Sequence, residues 1–302
     1  MIEVERKLDS VLEEIKAGGV YQAIHRLHAT LKVCRDGATN GEWQTVVNMA
    51  RSHELCSFVH RCPISHRSYY KPRGYPGDAE LLDLIYGVTA PTDTDEIAEQ
   101  ARQANLATPA ARGVQARRGI LADLVTEVTV ASKSPRLLSV AAGHLREIAL
   151  CSPHILSAIE EWIALDQDEI SLAEIRRCYP YPNVRPYKST IKRLILGDQG
   201  LGAFDLIYAA GLYDYLKMPT AQKLTSTLFQ MLRPGGALLV ANYLPTLPNI
   251  GYMECYMDWY LTYRTMVELE EFAEVIKHAG VRYIRTFSDA DKGIGYLQLC
   301  RV

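Results

Sequence analysis

The sequence predicts an α/β protein in which a helical N-terminal region precedes a mostly parallel, seven-stranded sheet with a terminal antiparallel hairpin. Before residue 130, apolar residues recur at helical spacing, and no convincing strand is found. After Ser134-Pro135, short apolar strands alternate with helices. The last two strands follow each other without a helix between them, which favours an antiparallel pair. We therefore divide the chain into a helical domain, residues 1–130, and a sheet domain, residues 131–302.

The N-terminal region is predicted to hold about five or six helices. Gly18-Gly19 divides the apolar pattern of residues 2–34 into two helices. Thr108-Pro109 is typical of a helix start and leads into the last helix of the region. The other predicted helices span residues 41–61, 78–87, 94–106 and 110–130.

The second region alternates strands with helices, the pattern of a sheet covered on both faces. The predicted strands are residues 136–141, 161–166, 184–187, 204–209, 237–243, 282–286 and 296–301. The predicted helices are residues 144–151, 169–177, 189–196, 219–232 and 267–279. In such sheets, ligands bind at the carboxyl ends of the strands, near the point where the strand order reverses.

Composition limits the function classes. The chain has 302 residues, of which 48% are hydrophobic and 23% charged, as in soluble globular proteins. A formal net charge of −2 gives no electrostatic footprint for nucleic acid, and no apolar run approaches the roughly 20 residues that cross a bilayer. The N-terminus lacks a signal-peptide core, and the seven cysteines lack metal-ligand spacing. We expect a cytoplasmic protein without a metal, nucleic-acid or membrane partner, as a monomer or a homodimer.

One stretch is typical of a nucleotide cofactor site. Residues 137–147, Leu-Leu-Ser-Val-Ala-Ala-Gly-His-Leu-Arg-Glu, run from an apolar strand through a small-residue turn. Asp166 follows Gly143 by about 23 residues, at the tip of the next strand. The turn lets backbone approach a ligand, and the acid accepts hydrogen bonds from ribose hydroxyls. Ala141 and Leu145 occupy places usually held by glycine.

Four stretches of residues 134–302 resemble the class I S-adenosylmethionine-dependent methyltransferases. Residues 137–143 resemble the turn that holds the methionine portion, and Asp166 stands at the place of the ribose-binding acid. Residues 204–216, Phe-Asp-Leu-Ile-Tyr-Ala-Ala-Gly-Leu-Tyr-Asp-Tyr-Leu, resemble the fourth strand and the active-site loop. Residues 232–240, Leu-Arg-Pro-Gly-Gly-Ala-Leu-Leu-Val, resemble the turn before the fifth strand.

This resemblance implies a Rossmann-like class I methyltransferase fold and S-adenosylmethionine as the cofactor. The cofactor-binding residues it implies are Ala141, Gly143, Asp166, Gln167, Ser189, Ala209 and Gly211. Arg146 could meet the cofactor carboxylate or form a local ion pair, and Ser189 could contact adenine or cap a helix. A dinucleotide-binding dehydrogenase shares the early motifs, but Leu145 stands where it would need its third glycine.

Two further stretches resemble a bacterial group with a helical domain ahead of the methyltransferase fold. They are residues 69–86, which begin Tyr-Tyr-Lys-Pro-Arg-Gly-Tyr-Pro-Gly-Asp, and residues 252–265. That group includes 3-hydroxy fatty acid methyl ester synthases and azetidine-2-carboxylate synthases, which implies bacterial secondary or signal metabolism. Asp78 is a plausible N-cap of the next helix. We predict that the helical region, residues 1–130, serves as a lid and substrate domain. Its loop at residues 72–77, rich in proline and glycine, would cross the strand ends and carry Arg73 and Tyr75 to the acceptor side.

Three functions stay open at this level: methyl transfer to a small acid, cyclisation of S-adenosylmethionine to azetidine-2-carboxylate and methylthioadenosine, and non-catalytic metabolite binding. A carboxylate acceptor is already ionised and needs cationic or hydroxyl donors to orient it. The candidates are Arg73, Tyr75, Tyr213 and Tyr243. Tyr75 and Tyr213 are the candidates for an aromatic wall beside the sulfonium, because ring faces attract cations. Tyr75, Tyr213 and Arg73 are therefore the predicted catalytic residues.

Overall fold

The computed structural model describes residues 2–90, 94–197, 200–276 and 280–302. The chain forms two compact units. The helical unit comprises Met1–Gln115 and Thr246–Tyr260, and the sheet unit comprises Ala116–Pro245 and Leu261–Val302. The first break lies at residue 115 rather than at the predicted residue 130, and residues 246–260 group with the N-terminal helices. No helix in the described part of the chain is long and apolar enough to cross a membrane.

The N-terminal part of the chain has more and shorter helices than the sequence predicts. They are α1 (Ile2–Lys16), α2 (Val20–Asp36), α3 (Asn40–Ser52), α4 (Leu55–Val59), α5 (Pro63–Tyr70), α6 (Ala79–Tyr86), α7 (Glu96–Leu106) and α8 (Pro109–Ala131). The predicted helix at residues 41–61 is two helices, and α5 was not predicted. Thr39 and Glu42 form a capping box at the start of α3. Asp78 caps α6, as predicted, by accepting a hydrogen bond from Leu81 N–H.

The remaining strands and helices follow α8 in the chain. The strands are β1 (Arg136–Val140), β2 (Glu161–Asp166), β3 (Val184–Lys188), β4 (Phe204–Ala209), β5 (Leu232–Tyr243), β6 (Val281–Ser288) and β7 (Ile294–Arg301). The helices are α9 (Pro153–Ala158), α10 (Glu169–Cys178), α11 (Ile191–Ile195), α12 (Met218–Gln230), α13 (Ile250–Tyr256) and α14 (Met266–Glu270).

Two predicted helices are shorter in the structure. Residues 144–151 contain a 3₁₀ turn, Arg146–Leu150, and α9 follows it. The left-handed backbone of Leu145 prevents an α-helix from starting there. The predicted helix at 267–279 is α14 and a 3₁₀ turn, Glu271–Ala273, while residues 277–279 lie outside the described residues.

The strand order is β3-β2-β1-β4-β5-β7-β6, and the predicted fold is confirmed. The first five strands in this order are parallel, whereas β7 is antiparallel to both β5 and β6. The order reverses between β1 and β4. The register pairs Val140 with Leu165, Asp166 with Lys188, and Ala209 with Val240, so the carboxyl ends of these strands share one edge. A ligand site is expected at that edge.

The Arg-Pro-Gly-Gly sequence forms a bulge inside β5 rather than a turn before it. Phe204 pairs with Leu232 and Leu206 with Ala237, so residues 233–236 lie opposite Asp205 alone. A Cβ on Gly236 would lie 2.9 Å from the Phe204 carbonyl oxygen. Glycine is therefore required at this position for the two strands to approach each other.

The helical unit is completed by α13, which follows β5 in the chain. Glu254 on α13 is buried. Arg35 Nε donates to both of its carboxylate oxygens, at 2.9 Å each, and Trp43 Nε1 donates to Oε2 at 2.6 Å. Tyr252 Oη lies 2.8 Å from Ser65 Oγ. Part of the stretch at 252–265 that resembles the bacterial group therefore anchors α13 among the N-terminal helices.

Candidate cofactor site at the carboxyl ends of the strands

The turn after β1 keeps the shape of a glycine-rich loop with only one glycine. Ala141, Gly143 and Leu145 all have left-handed backbone, with φ of 54°, 55° and 52°. This conformation costs a residue with a Cβ roughly 1–2 kcal/mol. Leu145 is 1% exposed, so burial of its side chain offsets the strain there. The side chain that replaces the usual glycine thus points into the core and leaves the turn open.

Asp166 ties this turn to the next two strands. Its Oδ2 accepts a hydrogen bond from Gly143 N–H at 2.8 Å, and its Oδ1 accepts one from Asp168 N–H at 2.9 Å. Its carbonyl oxygen accepts one from Ser189 N–H at 3.0 Å. Burial raises the pKa of the Asp166 carboxyl, and the backbone donors oppose that shift. Each carboxylate oxygen can accept a further hydrogen bond, so the residue fits a ribose hydroxyl beside the turn.

Gln167 and Ser189 lie beside Asp166 at the same edge. Gln167 is exposed directly after β2, whereas Ser189 is buried directly after β3. The N-cap of α11 is Thr190, whose side chain accepts a hydrogen bond from Arg193 N–H. The helix-capping alternative therefore belongs to Thr190, and the adenine contact of Ser189 stays a prediction.

The loop after β4 presents an exposed peptide at the reversal of strand order. Ala209 ends β4 and is buried, while Gly211 is exposed. Within the described residues, neither the N–H nor the C=O of Gly211 has a protein hydrogen-bond partner. A Cβ on Gly211 would approach only Arg117, at an ordinary 3.8 Å. The register of the parallel strands brings this loop, the β1 turn and Asp166 to one edge of the sheet.

Tyr213 is a packing residue, which corrects its predicted role as a wall of the reaction site. Its ring has 0% exposure and lies 5.0 Å from the ring of Phe272. Its hydroxyl lies 3.0 Å from Thr225 Oγ1, and burial raises the pKa of the phenol. A ring enclosed in the core has no face left for a sulfonium. The sequence pattern of β4 and its loop did not indicate that Tyr213 is buried. Its side chain is directed into the core by a 3₁₀ turn, Tyr213–Tyr215.

Arg73 and Tyr75 lie in the helical unit, before α6. The Arg73 guanidinium lies 3.3 Å from Glu80, which also pairs with Arg67. Arg67 in turn donates two hydrogen bonds to Asp78, at 2.8 and 2.7 Å. Arg73 therefore belongs to a charged cluster at the start of α6. Tyr75 is half-buried. The predicted roles of both residues toward an acceptor stay predictions.

Residues 146 and 147 act inside the fold. Arg146 is buried and forms an ion pair with Glu174 at 2.8 Å, which is the local alternative that the sequence left open. Glu147 is also buried, and its Oε1 accepts a hydrogen bond from the Tyr208 hydroxyl at 2.6 Å. Burial raises the pKa of the Glu147 carboxyl. The sequence could have indicated this contact, because Tyr208 lies within the apolar strand β4 and a buried phenol usually has a polar partner.

Similar proteins were found among solved structures. No protein-family model matches the chain, and no curated protein is similar to it in sequence. A structure described as a possible exported protein from Bordetella parapertussis is 16% identical, with a TM-score of 0.61 over 94% of this chain and 96% of that chain. This likeness extends to the fold alone.

Two other solved structures are less similar. An O-methyltransferase family protein from Burkholderia thailandensis is 17% identical, with a TM-score of 0.47 over 67% of this chain and 60% of that chain. The N-methyltransferase NodS from Bradyrhizobium japonicum, in complex with S-adenosylhomocysteine, is 13% identical. Its TM-score is 0.44 over 74% of this chain and 97% of that chain. Because both scores are below 0.5, the function has to be argued from the residues of this chain.

Proposed function

We propose that the sheet unit binds S-adenosylmethionine and that the protein transfers its methyl group to a small acid. The observation that carries the proposal is the hydrogen bond from Gly143 N–H to Asp166 at 2.8 Å. It places an acid at the tip of β2 against a left-handed turn after β1, beside the reversal of strand order. This is the arrangement that nucleotide cofactors use in such sheets.

Each part of the edge has a distinct task in this proposal. Asp166 accepts hydrogen bonds from ribose hydroxyls, and the backbone of residues 141–143 lies beside the methionine portion. The exposed peptide of Gly211 offers a donor and an acceptor on the other side of the reversal point. When bound, the cofactor supplies an electrophilic methyl group on a sulfonium.

The acceptor class rests on the sequence. A carboxylate is ionised at neutral pH, so its methylation requires orientation rather than a general base. We propose Arg73 as the cation that orients the acid and Tyr75 as an aromatic neighbour of the acceptor. Arg73 keeps Glu80 as a partner in the structure, so an acid would have to share this guanidinium.

The test is to incubate the purified full chain with S-adenosylmethionine, alone and with a panel of small carboxylic acids, and to separate the nucleoside products by mass spectrometry. S-adenosylhomocysteine that forms only with an acid would support the proposal. Methylthioadenosine formed without an acceptor would replace it with cyclisation. Calorimetric binding without either product, across the panel, would indicate a metabolite binder instead. Absence of binding would reject the cofactor itself.

A further inference from the structure

Two buried arginines hold the loop after β4, residues 210–216, by its carbonyl oxygens. Arg117, on α8, donates a hydrogen bond to the Ala210 carbonyl. Arg264 donates to the Tyr213 carbonyl at 2.9 Å and to the Leu216 carbonyl. Arg117 is 6% exposed and Arg264 is 3% exposed. Burying a guanidinium is costly unless its hydrogen bonds are made, so these contacts define the loop path closely.

Asp214, inside the same loop, links it to β5. Its Oδ1 accepts a hydrogen bond from Tyr243 N–H at 2.6 Å, and its carbonyl accepts one from Thr262 N–H at 2.8 Å. Asn242 completes the network, because its Oδ1 accepts from Arg264 at 2.7 Å and its Nδ2 donates to the Thr262 carbonyl at 2.9 Å. The loop is thus tied to β5 and to the segment after α13 that returns to the sheet unit.

Five carbonyls of the loop accept hydrogen bonds, whereas the exposed Gly211 lies between two of these residues. The carbonyls of residues 210, 213, 214 and 216 are bonded as described, and Leu212 accepts from Tyr215 N–H at 3.0 Å. Gly211 is exposed between them, and in the described part of the chain its peptide atoms have no protein partner. The network therefore holds its neighbours in place while Gly211 remains available.

We propose that Arg264 and Asp214 are positioning residues of the cofactor site, because they hold residues 210–216 so that the Gly211 peptide faces the ligand. This inference rests on the proposed function. It goes beyond it by assigning a role to two buried residues, Asp214 within the loop and Arg264 in the segment after α13. A network that served stability alone would not couple the charge of Asp214 to ligand affinity.

The charge of Asp214 gives the proposal a distinctive readout. Burial raises the pKa of its carboxyl to about 6, against the opposing effect of Arg117 and Arg264. Arg117 faces it from α8 and Arg264 from the segment after α13, and the Tyr243 N–H faces it from β5. Protonation near pH 6 removes the attraction to both arginines and should loosen the loop.

The experiment compares the full-length wild-type protein with Asp214→Asn between pH 5 and 8. Calorimetry measures the affinity for S-adenosylhomocysteine, and hydrogen exchange measures the protection of peptides that cover residues 209–217. At pH 7.5 we expect Asp214→Asn to weaken binding about tenfold, since tenfold corresponds to one pKa unit of charge interaction. The ratio of the two affinities should approach one at pH 5, where the wild-type carboxyl is also neutral. Titration of Asp166 affects both proteins and cancels in that ratio.

Asp205→Asn is the matched control, because Asp205 is the second residue of β4 and also faces arginine. It accepts hydrogen bonds from Arg136 N–H at 2.7 Å and from Arg233 at 2.8 Å. Its affinity ratio to wild type should stay near one at every pH. If Asp214→Asn fails to fold, Arg264→Lys carries the test, because it keeps the charge but cannot reach both loop carbonyls. It should lower both the affinity and the loop protection.

The proposal would be overturned if Asp214→Asn kept the wild-type affinity and loop protection at pH 7.5. An affinity ratio independent of pH would overturn it as well. A wild-type protein that binds no S-adenosylhomocysteine would instead refute the proposed function. Hydrogen exchange would then still show whether the arginine network orders the loop, so the two failures are distinguishable.

Discussion

At the residue scale, the candidate site depends on two residues with unfavourable backbone angles, Ala141 and Leu145. Ala141 and Leu145 are left-handed at places where glycine would be unstrained. The turn keeps its shape because Asp166 holds Gly143 from one side and the core holds Leu145 from the other. The departure from glycine in the sequence therefore does not indicate a lost site.

Ala141→Gly should stabilise the protein. Removing the Cβ relieves the left-handed strain, which outweighs the entropy that glycine adds to the unfolded chain, and we expect a gain of about 0.5–1 kcal/mol. Ala142→Gly is the matched control, since its φ is not positive, and it should lose about 0.5–1 kcal/mol. Urea unfolding measures both. A loss of stability in Ala141→Gly would contradict the strain at this position.

Asp166→Ala should weaken S-adenosylmethionine binding by about 1–3 kcal/mol, because a buried ribose hydroxyl would lose its acceptor. Asp168→Ala is the control, because Asp168 caps α10 by accepting a hydrogen bond from Ile170 N–H at 3.0 Å. The control should lower the melting temperature with little change in affinity. If calorimetry finds equal affinities for wild type and Asp166→Ala, the ribose does not bind to this acid.

At the element scale, α13 packs with helices that lie far from it in the chain. Arg51 donates hydrogen bonds to the carbonyls of Glu254 and Cys255, both at 2.8 Å. Together with the buried Glu254 carboxylate, these bonds anchor α13 to α3. Deleting residues 1–90 would remove these partners and expose α13, so point variants are better tests of the helical unit than truncation.

Gly251→Ala should destabilise the helical unit by about 1–3 kcal/mol, because overpacked sites force backbone shifts. A Cβ at Gly251 would lie 2.5 Å from the Leu31 carbonyl oxygen on α2. The same substitution at Gly119, on α8, meets nothing within 4 Å and should stabilise the chain by about 0.5–1 kcal/mol. Thermal unfolding of the two variants should shift in opposite directions. Shifts of the same sign would contradict the close packing of α13 on α2.

At the scale of the whole molecule, acid stability depends on a buried histidine in the helical unit. His28 is 4% exposed, and its ring lies 4.2 Å from the ring of Tyr252. Among the described residues, neither ring nitrogen has a hydrogen-bond partner. Burial lowers the pKa of His28 to about 3. The unfolded chain therefore binds this proton at a higher pH than the folded chain does.

His28→Phe should flatten the acid side of the stability profile. Since the unfolded state holds the extra proton between about pH 6.5 and pH 3, His28 lowers stability as pH falls through that window, by up to about 1.4 kcal/mol per pH unit. Urea unfolding at pH 7, 6 and 5 should show a smaller slope in His28→Phe than in wild type. His154→Gln, at an exposed position, should keep the wild-type slope. Equal slopes in all three proteins would mean that His28 is not buried as a neutral ring.

Much of the sheet was predictable because its information is local. The apolar strands, the change of period after residue 134 and the spacing of Gly143 and Asp166 are patterns within short stretches of chain. Helix ends were less predictable, since α3 and α4 share one continuous apolar pattern. The candidate cofactor residues were predicted from the strand ends, because parallel strands carry their carboxyl ends to one edge.

The sequence by itself determined the fold class and the acid beside the glycine turn. Only the tertiary structure decided which polar side chains are buried and with what. Arg35 meets Glu254 across 219 positions of chain, and Arg264 meets the Tyr213 carbonyl across 51. Tyr213 turned from a candidate site residue into a core residue for the same reason. Such pairings depend on which surfaces the packed elements bring together, and no local pattern encodes the partner.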